Sequence, residues 1–143
     1  MLEREKNVNT PMPAPDKSVP ECAFCNLPDD RIAMANDLAI GIRDGFPVSN
    51  GHTLVIPKRH VGSFFETTPD ERKALFDLLD AAKNALTTEF QPAAYNIGIN
   101  DGPAAGQTVP HLHIHLIPRY ADDDSDPRGG IRKIFPKKAN YWE

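Results

Sequence analysis

The sequence predicts an α+β fold, on three observations. Five short runs rich in β-branched and apolar residues are separated by Gly, Pro, Asn and Asp. One longer segment, 69–88, repeats its apolar residues every three or four positions, the period of a helix. In the last run His111, His113 and His115 alternate with Leu112, Ile114 and Leu116, a period of two that a strand accommodates.

Residues 1–19 hold Pro11, Pro13 and Pro15 among polar and charged side chains and supply no apolar face, so a flexible tail is expected there. The folded domain is expected to span 20–143, with a C-terminal extension from about 121. Arg31 to Ala35 and Asp37 to Arg43 read as strands joined at Asn36-Asp37. Loop signals follow at Asp44-Gly45-Phe46-Pro47 and Ser49-Asn50-Gly51. His52 to Ile56 reads as a central strand ended by Pro57, which delivers Lys58, Arg59 and His60 into the next loop. Thr68-Pro69-Asp70-Glu71 carries a cap, a proline suited to the first helical position and a capping-box acid. Behind it Ala74, Leu75, Leu78, Leu79, Ala82 and Leu86 form the apolar face of the one long helix. Ala94 to Asn100 alternates as a strand, and the short loop 101–106 makes it an antiparallel neighbour of the histidine run. The acidic, Gly- and Pro-containing segment 122–130 reads as a surface loop, and Trp142 as either an intrachain anchor or a subunit contact.

A chain of 143 residues, 40% hydrophobic and 25% charged, suffices for one domain with a single core. Its formal net charge of −4 provides no electrostatic footprint for nucleic acid or an anionic membrane. No apolar run approaches the roughly 18 residues of a membrane-spanning helix, and the charged N-terminus lacks a signal-peptide core; a cytoplasmic location is expected. Cys22 and Cys25 are the only cysteines. In a reducing compartment a CxxC pair suggests metal or redox chemistry ahead of a structural disulfide.

Three histidines on one strand face, about 7 Å apart by strand rise, suit either metal coordination or nucleophilic and acid–base work near neutral pH. Gly106, Gln107 and Thr108 beside them supply a pliant backbone, an amide and a hydroxyl, which suits anionic oxygens and favours catalysis over metal binding alone.

The segment His111-Leu112-His113-Ile114-His115-Leu116-Ile117 resembles the mark of the histidine triad (HIT) superfamily, three histidines alternating with apolar residues. Gly51 to His60, Asn96 with Gly98, Asp101-Gly102-Pro103 and Gly106-Gln107-Thr108-Val109 resemble the family's other blocks, so the likeness spans about residues 21 to 120. The Asp-Gly-Pro loop and the Pro118-Arg119 flank look most like the diadenosine-polyphosphate-cleaving, fragile-histidine-triad branch.

The resemblance implies a HIT-like fold, a five-stranded mostly antiparallel sheet with one long helix, assembled as a homodimer. It implies a purine nucleotide or dinucleoside polyphosphate as substrate, cleaved at the α-phosphorus. His113 is then the nucleophile, oriented by the backbone carbonyl of His111, and a nucleotidyl-imidazole intermediate is hydrolysed by water. His115, Gln107 and Thr108 are expected at the phosphates together with Asn96, Asp44 at the ribose hydroxyls, Ile42 against the base, and His52 supporting the row from an adjacent strand. Relatives with Cys22, Cys25, His60 and His111 in these places bind zinc, which implies a closed, structural Cys2His2 site here; a vacant dithiol and a redox CxxC are the alternatives. Mg2+ would arrive, if at all, with the substrate phosphates. Two other functions compete: a nucleotide sensor with little turnover, and a nucleotidyl transferase resembling galactose-1-phosphate uridylyltransferase, whose HxHxQ variant departs from His115.

Overall fold

In the computed structural model residues 19–143 are described, so the expected tail lies almost wholly outside them. Five strands, β1 (Ile32–Ala35), β2 (Ala39–Arg43), β3 (Thr53–Pro57), β4 (Ala94–Gly98) and β5 (Ile114–Arg119), form one sheet in the order β1-β2-β3-β5-β4. Every neighbouring pair is antiparallel. The expected α+β architecture is therefore present, with the helix α1 (Pro69–Phe90) crossing from β3 to the far edge strand β4.

The β1–β2 turn forms because Asn36 does the bonding itself: its Oδ1 accepts from the N–H groups of Leu38 and Ala39 at 3.1 and 2.9 Å. Its Nδ2 donates to the carbonyl of Ala74 at 2.8 Å, pinning the hairpin to α1. The helix starts with the complete capping box read from the sequence, Thr68 accepting from the Glu71 N–H and Glu71 from the Thr68 N–H. It ends at Phe90, within the expected stretch of Thr88 to Phe90, and is capped by Gln91, whose φ of 53° is left-handed. Pro92 follows, and a residue before proline is disfavoured in the helical region.

Apolar residues pack against both faces of the sheet. On one side Leu75 and Leu78 of α1 pack on Ala39, Val55, Leu112 and Ile114, while Ala82 and Leu86 pack on Leu116. On the other, Ile40, Ile42, Leu54 and Ile56 lie under Phe24, Leu27 and Ile32. All five β3 residues are buried, which fits its continuous run from Leu54 to Pro57 with no charged residue.

The histidine run departs from the expected strand. β5 begins at Ile114, so only His115 belongs to the ladder, and the last β3 partner of β5 is Val55 opposite Ile114. The next rungs would fall on Ile56 and Pro57. Pro57 has no N–H to give, and its carbonyl already accepts from His111 Nε2 at 2.8 Å. His111 and His113 therefore lie before the sheet, where the Leu112 N–H donates to the carbonyl of Val61 at 2.7 Å. Leu112, Ile114 and Leu116 still point into the core as expected.

Beyond Tyr120 the acidic segment is exposed and pinned by its own ion pairs, Asp123 to Arg119 and Asp124 to Lys133, each at 2.9 Å. The chain then makes two 3-10 turns, Gly130–Ile134 and Pro136–Lys138. Arg128 stacks 4.4 Å over the Trp142 ring and Arg132 4.7 Å over Tyr141. Trp142 thus packs within the extension, against Arg128.

Candidate functional site

The CxxC turn brings Cys22 and Cys25 to the pre-strand histidine and to His60, which follows β3. Cys22 Sγ and Cys25 Sγ each lie 3.5 Å from His111 Nδ1, and Cys25 Sγ lies 3.1 Å from His60 Nδ1. These four ligand atoms fall within 4.8 Å of one another. Zinc bond lengths of about 2.3 Å to sulfur and about 2.05 Å to nitrogen give a tetrahedral S···N edge of about 3.6 Å, close to the separations at His111. A carbonyl can only accept, so the contact with Pro57 fixes the His111 proton on Nε2 and leaves Nδ1 as a lone pair aimed at the sulfurs. The cysteines are buried and not disulfide-linked. Cys22, Cys25, His60 and His111 can thus hold a metal ion.

His113 is fixed by the same logic. Its Nδ1–H donates to the His111 carbonyl at 2.8 Å, which leaves Nε2 unprotonated in the neutral ring. Phe24, from between the two cysteines, packs edge-on against the His113 ring at 5.1 Å and the His111 ring at 5.9 Å. The sequence reading missed Phe24; its signal was its place inside the CxxC turn. The ring centroids of His113 and His115 are 5.1 Å apart.

A second cluster joins His115 to the end of the β2–β3 loop. His52 Nε2 is 3.0 Å from His115 Nδ1 and 3.4 Å from Asp44 Oδ2. Burial pushes the pKa of His52 down, against the opposing charge of Asp44. His115 is lowered to about 4, by burial first and then by His113 and His52, again opposed by Asp44. Its imidazole is neutral at pH 7.

His52 and His115 line a groove of about 550 Å³, whose walls include Asn100, Ile97, Ile117, Arg119 and, from the extension, Ile131. Asn96 also lines it, with its Oδ1 accepting from Arg119 Nη1 at 2.7 Å. Asn100 went unremarked in the sequence, although it opens the loop that feeds the histidines. Three expected substrate residues, Gln107, Ile42 and Asp44, have partners within the chain. Both ends of the Gln107 amide are used on backbone: Oε1 accepts from the Gly102 N–H at 2.8 Å, and Nε2 donates to the carbonyls of Gly62 and Val109 at 2.9 and 3.1 Å. Ile42, 1% exposed, lies within the apolar layer beneath Phe24, Leu27 and Ile32. Asp44 Oδ1 accepts from the Phe46 N–H at 2.8 Å while Oδ2 faces His52. Thr108 is exposed.

The HIT domain family matches residues 27–122. The chain belongs to the HIT family. An uncharacterised 16.1 kDa HIT-like protein of Mycoplasma pneumoniae is 37% identical over 103 residues, 69% of this chain and 72% of that protein. The asymmetrical bis(5'-nucleosyl)-tetraphosphatase of Schizosaccharomyces pombe is 45% identical over 80 residues, 56% of this chain and 44% of the yeast protein. The zinc-bound histidine triad protein of Mycobacterium smegmatis superposes with a TM-score of 0.65 at 35% identity, covering 74% of this chain and 84% of that one. The open five-stranded antiparallel sheet with one helix against it is thus the architecture of HIT proteins of known structure.

Proposed function

We propose that this HIT protein hydrolyses a purine nucleotide, a dinucleoside polyphosphate, at its α-phosphate with His113 as nucleophile. One observation carries the reading: the His111 carbonyl holds the Nδ1 proton of His113, so the in-plane lone pair on Nε2 is the one left for phosphorus. In-line attack forms the Nε2–P bond and expels the remaining nucleotide, and water then releases the nucleoside monophosphate. The neutral His115 and the Asn100 amide lie along the groove, where each can donate to phosphate oxygens. Gln107 shapes the loop, and Thr108, exposed three residues before His111, offers a hydroxyl to the phosphates. Asp44, held beside His52, keeps an acceptor for ribose hydroxyls. The tetraphosphatase activity named for the yeast relative supports this substrate class.

The Cys22, Cys25, His60 and His111 set fits zinc by ligand type and by the second-shell contact from Pro57, and the zinc-bound mycobacterial relative supports that choice of metal. Four protein ligands would close its coordination, so it would act by fixing the N-terminal turn and the His111 carbonyl. Catalysis is left to the protein's own imidazoles.

The test is a product assay on diadenosine tri- and tetraphosphate, adenosine phosphoramidate and adenylyl sulfate. Wild type should release AMP from at least one, and His113→Ala should lower turnover by at least about a thousandfold, the scale of losing a covalent nucleophile. Turnover surviving in His113→Ala would remove the nucleophile assignment. Tight nucleotide binding with no product from any substrate would favour the sensor reading.

A further inference from the structure

The proton positions on the groove-side histidines are dictated by a backbone amide. The Val48 N–H points at His52 Nδ1 from 3.2 Å, and an amide nitrogen only donates, so Nδ1 is the accepting nitrogen of that ring. The single proton of neutral His52 therefore sits on Nε2. A second proton, on Nδ1, would set two donors face to face, and His52 is also 3% exposed, so the ring stays neutral. Whether the Nε2–H leans toward His115 Nδ1 at 3.0 Å or is shared with Asp44 Oδ2 at 3.4 Å, the Nδ1 of His115 faces a donor. That nitrogen must accept, which leaves the His115 proton on Nε2, the ring nitrogen turned away from His52.

We propose that His52 is a positioning residue: it passes the orientation of the Val48 amide to His115 and locks that ring as the Nε2–H tautomer, a neutral hydrogen-bond donor to a phosphoryl oxygen of the substrate. This deepens, and for its catalytic part rests on, the reading of the groove as an α-phosphate site. His115 gives up no proton in the step. The bond from His113 Nε2 to phosphorus forms, the bond from phosphorus to the leaving oxygen breaks, and the electron pair departs on that oxygen. Protonating His115 on Nδ1 would oppose two N–H groups across 3.0 Å, so a neutral donor is the form this arrangement stabilises. A free imidazole exchanges between two tautomers, and only one of them presents a donor at Nε2. Asp44 serves as a second acceptor that keeps the His52 proton on Nε2.

The test is a two-bond 1H–15N spectrum of the full-length, 15N-labelled chain without nucleotide at pH 7, with signals assigned through His52→Gln and His115→Gln. Both His52 and His115 should show a protonated Nε2 and a bare Nδ1. His52→Gln, which keeps an N–H donor near the same place, should retain the His115 tautomer and hold kcat within about threefold. His52→Leu should mix the His115 tautomers and lower kcat about ten- to a hundredfold with KM altered less than about threefold, part of the loss known for deleting a preorganised donor. A protonated Nδ1 on wild-type His115 overturns the proposal. So does a His52→Leu protein with unchanged tautomer and unchanged kcat. Should that variant fail to fold, mixed tautomers in His52→Gln would overturn it instead. If wild type turns over no nucleotide, the proposed function fails, while the spectrum of the unliganded protein still decides the tautomer lock.

Discussion

At the residue scale, three identical side chains spaced two apart acquire different chemistry from the partner that fixes the proton on each ring. His111 gives its Nε2 proton to Pro57 and turns Nδ1 toward two thiols; His113 gives its Nδ1 proton to His111; His115 accepts on Nδ1. The buried pair His52 and His115 also makes stability depend on pH. Both pKa values are lowered in the fold, so the unfolded chain binds protons more readily. Their stabilisation is complete above the unfolded value of about 6.5 and is lost as pH falls toward the His115 value of about 4. The melting temperature should therefore fall across that interval, and His115→Asn should flatten the slope. Parallel melting curves for wild type and variant would show that His115 does not titrate this way.

At the scale of elements, the helix and its approach are set by a few local devices. Thr68 caps α1, and Thr68→Ala should cost about 1 kcal/mol in urea unfolding. Glu71 is buried beneath it. Burial works to raise its pKa, but Arg59, at 2.7 Å, and the Thr68 N–H outweigh that and hold it ionised. Gly51, at φ +88°, turns the chain into β3 with a Cβ position 2.8 Å from Leu86 Cδ2 and 3.0 Å from Phe90 Cδ2. Gly51→Ala meets both backbone strain and a side-chain clash, and a loss of about 1–3 kcal/mol is expected. An unchanged urea midpoint would mean that the loop moves freely away from α1.

At the scale of the whole molecule, the Cys–His cluster joins three places distant in sequence: the N-terminal turn, the loop after β3 and the segment before β5. Protein purified without chelator should contain about one zinc per chain. Stripping it, or replacing Cys25 by Ser, should lower the melting temperature by several degrees or more, because metal binding adds to folding free energy. It should also reduce turnover, since the N-terminal turn carries Phe24 against the His113 ring. Less than half an equivalent of metal together with an unshifted melting curve after chelation would count against the site. The extension contributes Ile131 to the groove wall, so it takes part in the site it follows in sequence. Among the described residues no helix is long and apolar enough to cross a membrane.

Elements whose signal is local were legible in the sequence. Capping residues, turn formers and period-two or period-3.6 patterns act within a few positions, and β1 to β4, the helix start and the antiparallel β4–β5 pairing emerged where they were expected, whereas β5 starts three residues after His111. The four possible metal ligands were legible too, through resemblance, and the fold brings them together. What tertiary structure alone decided is how each group is used. Pro57 lies 54 residues from His111 in sequence, yet it ends the ladder and sets that ring's proton. The Gln107 amide is spent on Gly62 and Val109, and Ile42 lies under Phe24, Leu27 and Ile32. A side chain's type follows from the sequence, but its free lone pairs and protons depend on partners that only folding brings within 3 Å or so.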